Sequence, residues 1–270
     1  MTTVTAPPAA PVAATGSKLG WAVTDTLTIA GRNLRTITRL PQLLVFSTIQ
    51  PVIFVLLFRY AFGGAIRTPG IDYVNYLMPG IFAQTVTFGA LGTGVGLADD
   101  LQKGLIERFR SLPMARSAVL GGRIVSDLVR NMFVVVLMCV VGYLVGFRVS
   151  TNPVAFLSGL AVLLLFACSL SVIFAIIGLS VRNAESAQAA GFPMLAPLVF
   201  ASSAFVPVAS MPGWLQVFAR HQPLSVTVDA VRALSIGGAT TSFVVQSVAW
   251  SVGIIAVFGP LAVRRYRRAA

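Results

Sequence analysis

Charge is scarce in this chain. Only 10% of its residues are Asp, Glu, Lys or Arg, against about 25% in a soluble globular domain. A water-facing surface cannot be built from so little charge, which excludes a soluble protein and leaves an integral membrane one. Acidic residues are scarcer still, eight in 270, and the interiors of the long apolar runs read as free of them, with arginines near the ends. Transporters driven by protons or sodium ordinarily need ionisable groups inside the membrane, so that reading argues against a secondary transporter. Catalysis also lacks parts. His221 is the single histidine and falls in a segment read as external, where a surface role fits it. Asp99 and Asp100 are neighbours, so on a helix they point about 100° apart and cannot act as paired acids. Cys139 and Cys168 lie in apolar stretches without a C-x-x-C, which suits small hydrophobes in helices rather than redox or metal chemistry. The phosphate-cradling pattern G-x-x-x-x-G-K-[ST] is missing. The Gly-rich piece GALGTGVG (89–96) has no Lys and lies inside an apolar run, where small residues allow close helix packing.

What is present is oil. The sequence is 56% hydrophobic with a mean hydropathy of +0.86. Six runs of about 20 apolar residues qualify as membrane spans: Pro41–Phe62, Tyr76–Ala98, Ile124–Phe147, Val154–Val181, Ala187–Ala209 and Phe243–Val263. Gln50-Pro51 predicts a kink in the first. Gly191, Pro193, Pro197 and Pro207 predict a bent or broken fifth. The fold class is therefore an all-α integral membrane protein of six transmembrane helices.

Basic residues set the orientation. An even number of spans puts both termini on one side, and that side carries 15 of the 20 Lys and Arg. Both termini are accordingly expected in the cytoplasm, with the protein multi-pass in a bacterial cytoplasmic membrane. The net charge of +12 flanks the apolar runs, which fits anionic lipid headgroups as partners and not nucleic acid. Residues 1–19 are Ala/Pro/Thr-rich, lack the order of a signal peptide and read as a disordered cytoplasmic tail. Residues 21–40 form a helix of their own, with Leu27, Ala30, Leu34 and Ile37 on one face and Arg32, Arg35 and Arg39 opposite, suited to the membrane surface. The outer segment 211–242 predicts short helices. The transmembrane domain covers 20–263, and 264–270 is a basic cytoplasmic tail.

The one long charged stretch is DDLQKGLIERFRSLPMARSAVLGGRIVSDLVR, 99–130. Leu101, Leu105, Phe109 and Leu112 share a stripe at helical spacing. Lys103, Glu107 and Arg110 share another, close enough to pair. Asp99 and Asp100 suit a helix N-terminus, and Pro113 stops the helix. This predicts an amphipathic helix over 99–112 between two spans, readable either as a solvated loop or as a docking element for a soluble partner.

KGLIERFRSLPMARSAVLGGR resembles the segment between spans two and three of ABC-2 type permeases, most closely the daunorubicin-resistance branch of drug exporters. SSAFVPVASMPGWLQVFARHQPLSVTVDAVRALSIGG resembles that family's region after span five, with its FVP, MPGWL, QP and D-x-x-R-A-L elements. The resemblance implies an exporter permease moving a hydrophobic or amphipathic molecule out of the cell. It would pair with a second permease copy and with separate ATP-binding-cassette ATPase subunits, and ATP and magnesium would sit on those subunits, none on this chain. It makes 99–112 the coupling helix, with Leu105, Glu107, Arg108, Phe109, Arg110, Leu112 and Pro113 as the contacts, and 21–40 the connecting helix. Sparse polar and aromatic side chains in the spans, Gln50, Gln84, Phe88, Gln188 and Phe200, are the candidates for a substrate path, although polar groups in spans more often bond between helices. The rival readings are a lipid-linked polysaccharide exporter of the same fold and a non-transporting membrane enzyme or structural subunit. An enzyme would need a polar catalytic cluster at the bilayer edge.

Overall fold

The computed structural model describes residues 18–39, 41–66, 68, 70–105 and 116–269. Among them the chain is all-helical, with no strand. The helices are α1 (Lys18–Arg39), α2 (Pro41–Leu56), α3 (Tyr73–Gln102), α4 (Arg116–Leu144), α5 (Pro153–Gly178), α6 (Ala184–Phe200), α7 (Gly213–His221), α8 (Pro223–Ile236) and α9 (Thr241–Ala269). A turn of π-helix, Leu57–Phe62, continues α2, and a 3-10 turn, Val208–Ser210, follows α6.

Among the described residues, four helices are long and apolar enough to cross a membrane: Tyr73–Gln102, Ala118–Leu144, Pro153–Gly178 and Thr241–Arg268. The remaining predicted spans are shorter. The first is the apolar stretch Ser47–Phe62, with Pro51 inside α2. The fifth is α6, whose 17 residues span about 25 Å at 1.5 Å per residue. It stops at Phe200, well before Ala209. Pro193 and Pro197 lie within it, and the Ala201 amide closes onto the Pro197 carbonyl. The break expected near its far end is thus present, and 201–207 is irregular chain.

α3 is the central post. Met78, Ile81, Phe82, Val86 and Ala90 are fully buried, and α3 packs against α2, α4, α5, α6 and α8. In lipid, apolar contact between helices gains little over contact with acyl chains, so close packing must hold the bundle. The glycines supply it. A Cβ on Gly178 of α5 would lie 2.2 Å from the Gly94 carbonyl oxygen of α3, and one on Gly80 would lie 2.1 Å from the Ala204 carbonyl oxygen. The bundle's outside remains oily: Phe133, Val136 and Val140 on α4 and Val245, Val252 and Val257 on α9 are all exposed.

Side-chain caps punctuate the chain. Asn152 accepts the Ala155 amide at 2.7 Å ahead of Pro153, and Asn183 accepts the Ser186 amide at 2.8 Å, which starts α5 and α6.

Two expectations need correction. The 99–112 helix does not begin at Asp99: Asp99 and Asp100 belong to the last turn of α3, which ends in a turn at Lys103–Gly104 with Gly104 at φ +65°, the left-handed stop that glycine favours. The arginines read as a tail after 263 are the final turns of α9, and Tyr266 among them is buried. One edge of α1 packs onto α4. Ile29 and Ala30 are buried while Leu27 is 60% exposed, because Thr26 and Ile29 abut the Gly121–Gly122 pair of α4.

Candidate functional site

The α3–α4 seam carries most of the polar chemistry. Gly89, Gly92 and Gly96 make a groove along α3, and a Cβ there would strike Asn131, Arg130 and Arg123 of α4 respectively. Into this groove α4 inserts a charge cluster. Asp127, only 2% exposed, accepts from the Thr93 hydroxyl at 2.7 Å. Arg123 Nε and Arg130 Nη2 each stand 3.4 Å from its carboxylate. Arg123 also reaches Asp100 of α3 at 3.3 Å, and Arg130 donates to the Gly89 carbonyl at 2.9 Å. Thr93 lies 3.3 Å from Ser171 of α5, which ties a third helix to the cluster. A lone carboxylate in an apolar interior is costly; two guanidinium groups and a hydroxyl offset that cost. The span interiors are therefore not free of acid, which corrects the sequence expectation. The signal was in the spacing: Asp127 follows Arg123 by four residues and precedes Arg130 by three, one helical stripe.

Beside the cluster is a cavity of about 200 Å³ between α2, α3 and α4, lined by Gln50, Pro51, Gln84, Phe88, Arg130 and Asn131 among others. Three of the five path candidates, Gln50, Gln84 and Phe88, thus share one cavity. Gln188 and Phe200 do not join them. Gln188 is exposed on α6. Phe200 is half-exposed and lies against Phe54 and Phe205, with ring centroids 6.3 and 5.8 Å away. Arg130 and Asn131 were missed as lining residues, because periodicity alone does not show that a residue at the start of a span faces inward.

The opposite end of α3 holds a second polar knot. Arg232 of α8 pairs with Asp229 and donates to the carbonyls of Ser203 and Tyr76 at 2.8 and 3.2 Å. Its guanidinium lies 3.7 Å from the Tyr76 ring centroid, a cation–π geometry. The Ser203 hydroxyl donates to Asp229 at 2.9 Å. Burial pushes the Asp229 carboxyl up, and Arg232 and the two hydrogen bonds pull it back down. Asp229 and Arg232, one helical turn apart, thus join in a partly buried clamp on the broken segment after α6. The short helices foreseen over 211–242 are α7 and α8. Most of α8 is buried against α3, α5 and α9, so it is a packed core element.

Of the coupling residues, Leu105 is described and partly buried just past the Gly104 turn. Glu107, Arg108, Phe109, Arg110, Leu112 and Pro113 lie outside the described residues. Lys103 pairs with Asp99 at 2.7 Å, and that hydrogen bond raises its ammonium pKa. Leu101 packs on a cluster of Ile29, Ala118, Val119, Leu179 and Tyr266. That cluster joins α1, the end of α3, the start of α4, the residue after α5 and the end of α9.

Long apolar helices, an oily exterior and a partly polar cavity inside the bundle define a multi-pass membrane protein. The chain belongs to the ABC-2 type transporter family, whose family model matches residues 24–236. It is 34% identical over 246 residues to the daunorubicin resistance ABC transporter permease protein DrrB1 of Streptomyces coeruleorubidus, covering 91% of this chain and 87% of that one. It is 26% identical over 227 residues to a probable doxorubicin resistance ABC transporter permease protein, DrrC, of Mycobacterium tuberculosis, covering 83% and 81%. A putative transport permease, ycf38, of Cyanophora paradoxa is 25% identical over 200 residues, covering 73% and 69%. The chain is an exporter permease subunit.

Proposed function

We propose that this permease moves a hydrophobic or amphipathic molecule, of the drug or natural-product kind, out across a bacterial cytoplasmic membrane. A separate ATP-binding-cassette ATPase supplies the drive, with ATP and magnesium on that partner. Two permease copies and two ATPases make the working exporter, and the chain crosses the membrane six times with both termini in the cytoplasm. The names of the daunorubicin and doxorubicin relatives support the substrate class. The observation that carries the reading is the junction at Leu101, Ile29, Ala118, Leu179 and Tyr266. It gathers α1, the end of α9 and the residues flanking 103–115 in one cluster.

In this mechanism the ATPase grips Leu105, Glu107, Arg108, Phe109, Arg110, Leu112 and Pro113 and moves them when it closes on ATP. α3 and α4 carry the push together, because Asp100, Arg123 and Asp127 tie them across the glycine groove. The path then opens outward past Gln50, Gln84 and Phe88 and the Arg232 clamp. The α1 helix lies on the membrane surface as the connecting helix, its arginines toward lipid headgroups.

The test is co-purification. Phe109→Ala and Glu107→Arg should lose the ATPase partner, since a docked short helix depends on a few anchors, while insertion into the membrane is unchanged. Thr240→Arg, remote from the loop in sequence, should retain it. Normal partner recovery and normal export by both loop variants would refute the docking role.

A further inference from the structure

The cavity between α2, α3 and α4 carries an unanswered pair of polar atoms. Gln84 is 1% exposed and Asn131 is 2% exposed, yet Gln84 Oε1 and Asn131 Nδ2 have no hydrogen-bond partner. Both residues line the cavity. A buried amide atom left unpaired costs about 1–3 kcal/mol, and natural interiors rarely tolerate two in one cavity. The atoms are also complementary in kind: one accepts, the other donates. What completes them is a group that donates to Gln84 and accepts from Asn131.

The surrounding charges decide what else that group carries. Arg130 also lines the cavity, but it is committed to Asp127 and to the Gly89 carbonyl. Asp127 and Asp100 balance Arg123 and Arg130 across the cluster. No uncompensated charge remains for an ionic headgroup, and burying one would cost several kcal/mol without a partner. The rest of the lining is uncharged: Phe88, Pro51 and Val134 are apolar, and Ser47, Gln50 and Thr85 add neutral polar groups. The volume of about 200 Å³ is below the roughly 300–1,000 Å³ of pockets that enclose a drug-sized molecule. It suits one end of a ligand, with the remainder left outside.

We propose that this cavity is the head-group site of the exported molecule, and that it takes a neutral group with adjacent donor and acceptor, a hydroxyl or a primary amide, attached to an apolar body. The proposal rests on the exporter reading above and narrows its substrate class. Gln84 and Asn131 select for hydrogen bonding, Phe88 and Val134 hold the first part of the body, and the balanced cluster behind Arg130 rejects charge.

The experiment is photolabelling of the full-length protein in membrane vesicles. The probes are four diazirine-bearing alkyl chains of equal length, ending in a hydroxyl, a primary amide, a carboxylate or a trimethylammonium, with adducts mapped by mass spectrometry. The alcohol and the amide should modify peptides containing Phe88 or Val134 at least about fivefold more than the charged pair. Gln84→Met and Asn131→Leu should each abolish that preference. Equal labelling by all four probes overturns the proposal, as does retention of the preference in both variants. Absence of cavity labelling by every probe, the behaviour of a cavity that holds water only, overturns it as well. The wild-type probe series stands even if a variant fails to fold. ATP-dependent transport in the same vesicles separates the two ideas: transport without head-group selection removes this site alone, whereas selective labelling without transport removes the exporter reading and leaves the site.

Discussion

Replacing Asp127 by Leu is the sharpest perturbation of the bundle. The substitution keeps the branched shape, with larger methyl groups in place of the carboxylate oxygens, and removes one charge at a position 2% exposed. Arg123 keeps Asp100 at 3.3 Å. Arg130 keeps only the Gly89 carbonyl, and Thr93 keeps only its contact with Ser171. Breaking a buried ion pair from one side costs about 3–5 kcal/mol, because the surviving charge is stranded. Both arginine side chains retain 19% exposure and can turn partly toward water, which places the cost near the lower bound, about 3 kcal/mol. At about 2–4 °C per kcal/mol for a chain of this size, the midpoint should fall by roughly 6–12 °C. Heating the detergent-solubilised protein and following the monodisperse peak by size-exclusion chromatography measures it. The double variant Asp127→Leu, Arg130→Met should lose less than the sum of the single losses, because its second change removes the stranded charge. The loss should also be the same at low and high salt, since buried pairs are poorly screened. A midpoint within about 2 °C of wild type, or strict additivity in the double variant, would refute the reasoning.

Other outcomes follow from the same geometry. Gly178→Val should abolish the monodisperse peak, because even a Cβ at that position meets the Gly94 carbonyl oxygen at 2.2 Å; a stable, well-behaved variant would show that α3 and α5 do not approach as described. Arg232→Lys should lower the midpoint although charge is kept, since a lysine cannot reproduce a fork that serves Asp229, Ser203 and Tyr76 together; an unchanged midpoint would contradict the clamp. Lys103→Gln should leave the midpoint unchanged, as expected of an exposed i,i+4 pair, and a large drop would mean that the turn at Gly104 is held differently. A cysteine at Lys103 should react only with membrane-permeant reagents and one at Gly70 with impermeant ones, and the reverse pattern would overturn the orientation.

The sequence disclosed the fold class readily because oil is cheap to detect: α3, α4, α5 and α9 announce themselves by length and hydropathy alone. The broken fifth element was legible too, since Pro193 and Pro197 have a direct backbone consequence. What escaped was inwardness. Asp127 looks like loop charge because it stands close to Arg116 and Arg123 in the sequence. Only the glycine groove of Gly89, Gly92 and Gly96 on another helix reveals that α4 begins early and buries it. Asp99 looked like a helix start for a related reason: capping chemistry is local, whereas the length of α3 is set by packing of Leu97 and Leu101 against other helices. In the candidate site, Gln50, Gln84 and Phe88 could be chosen as polar or aromatic exceptions in oily runs. Gln188 and Phe200 satisfied the same criterion yet stand apart from the cavity, because that criterion carries no information on which way a helix faces.

The central claim is that this chain is a permease whose transport is powered by a separate ATPase. The direct measurement is uptake of a fluorescently tagged alkyl alcohol, a neutral amphipathic molecule of the class proposed above, into inside-out vesicles containing this chain, its ATPase partner, or both, with and without ATP and magnesium. The account predicts accumulation only when both proteins and ATP are present, and its loss when the phosphate-binding lysine of the ATPase is replaced. Uptake by vesicles holding this chain alone, or ATP hydrolysis by the purified chain without a partner, would contradict it.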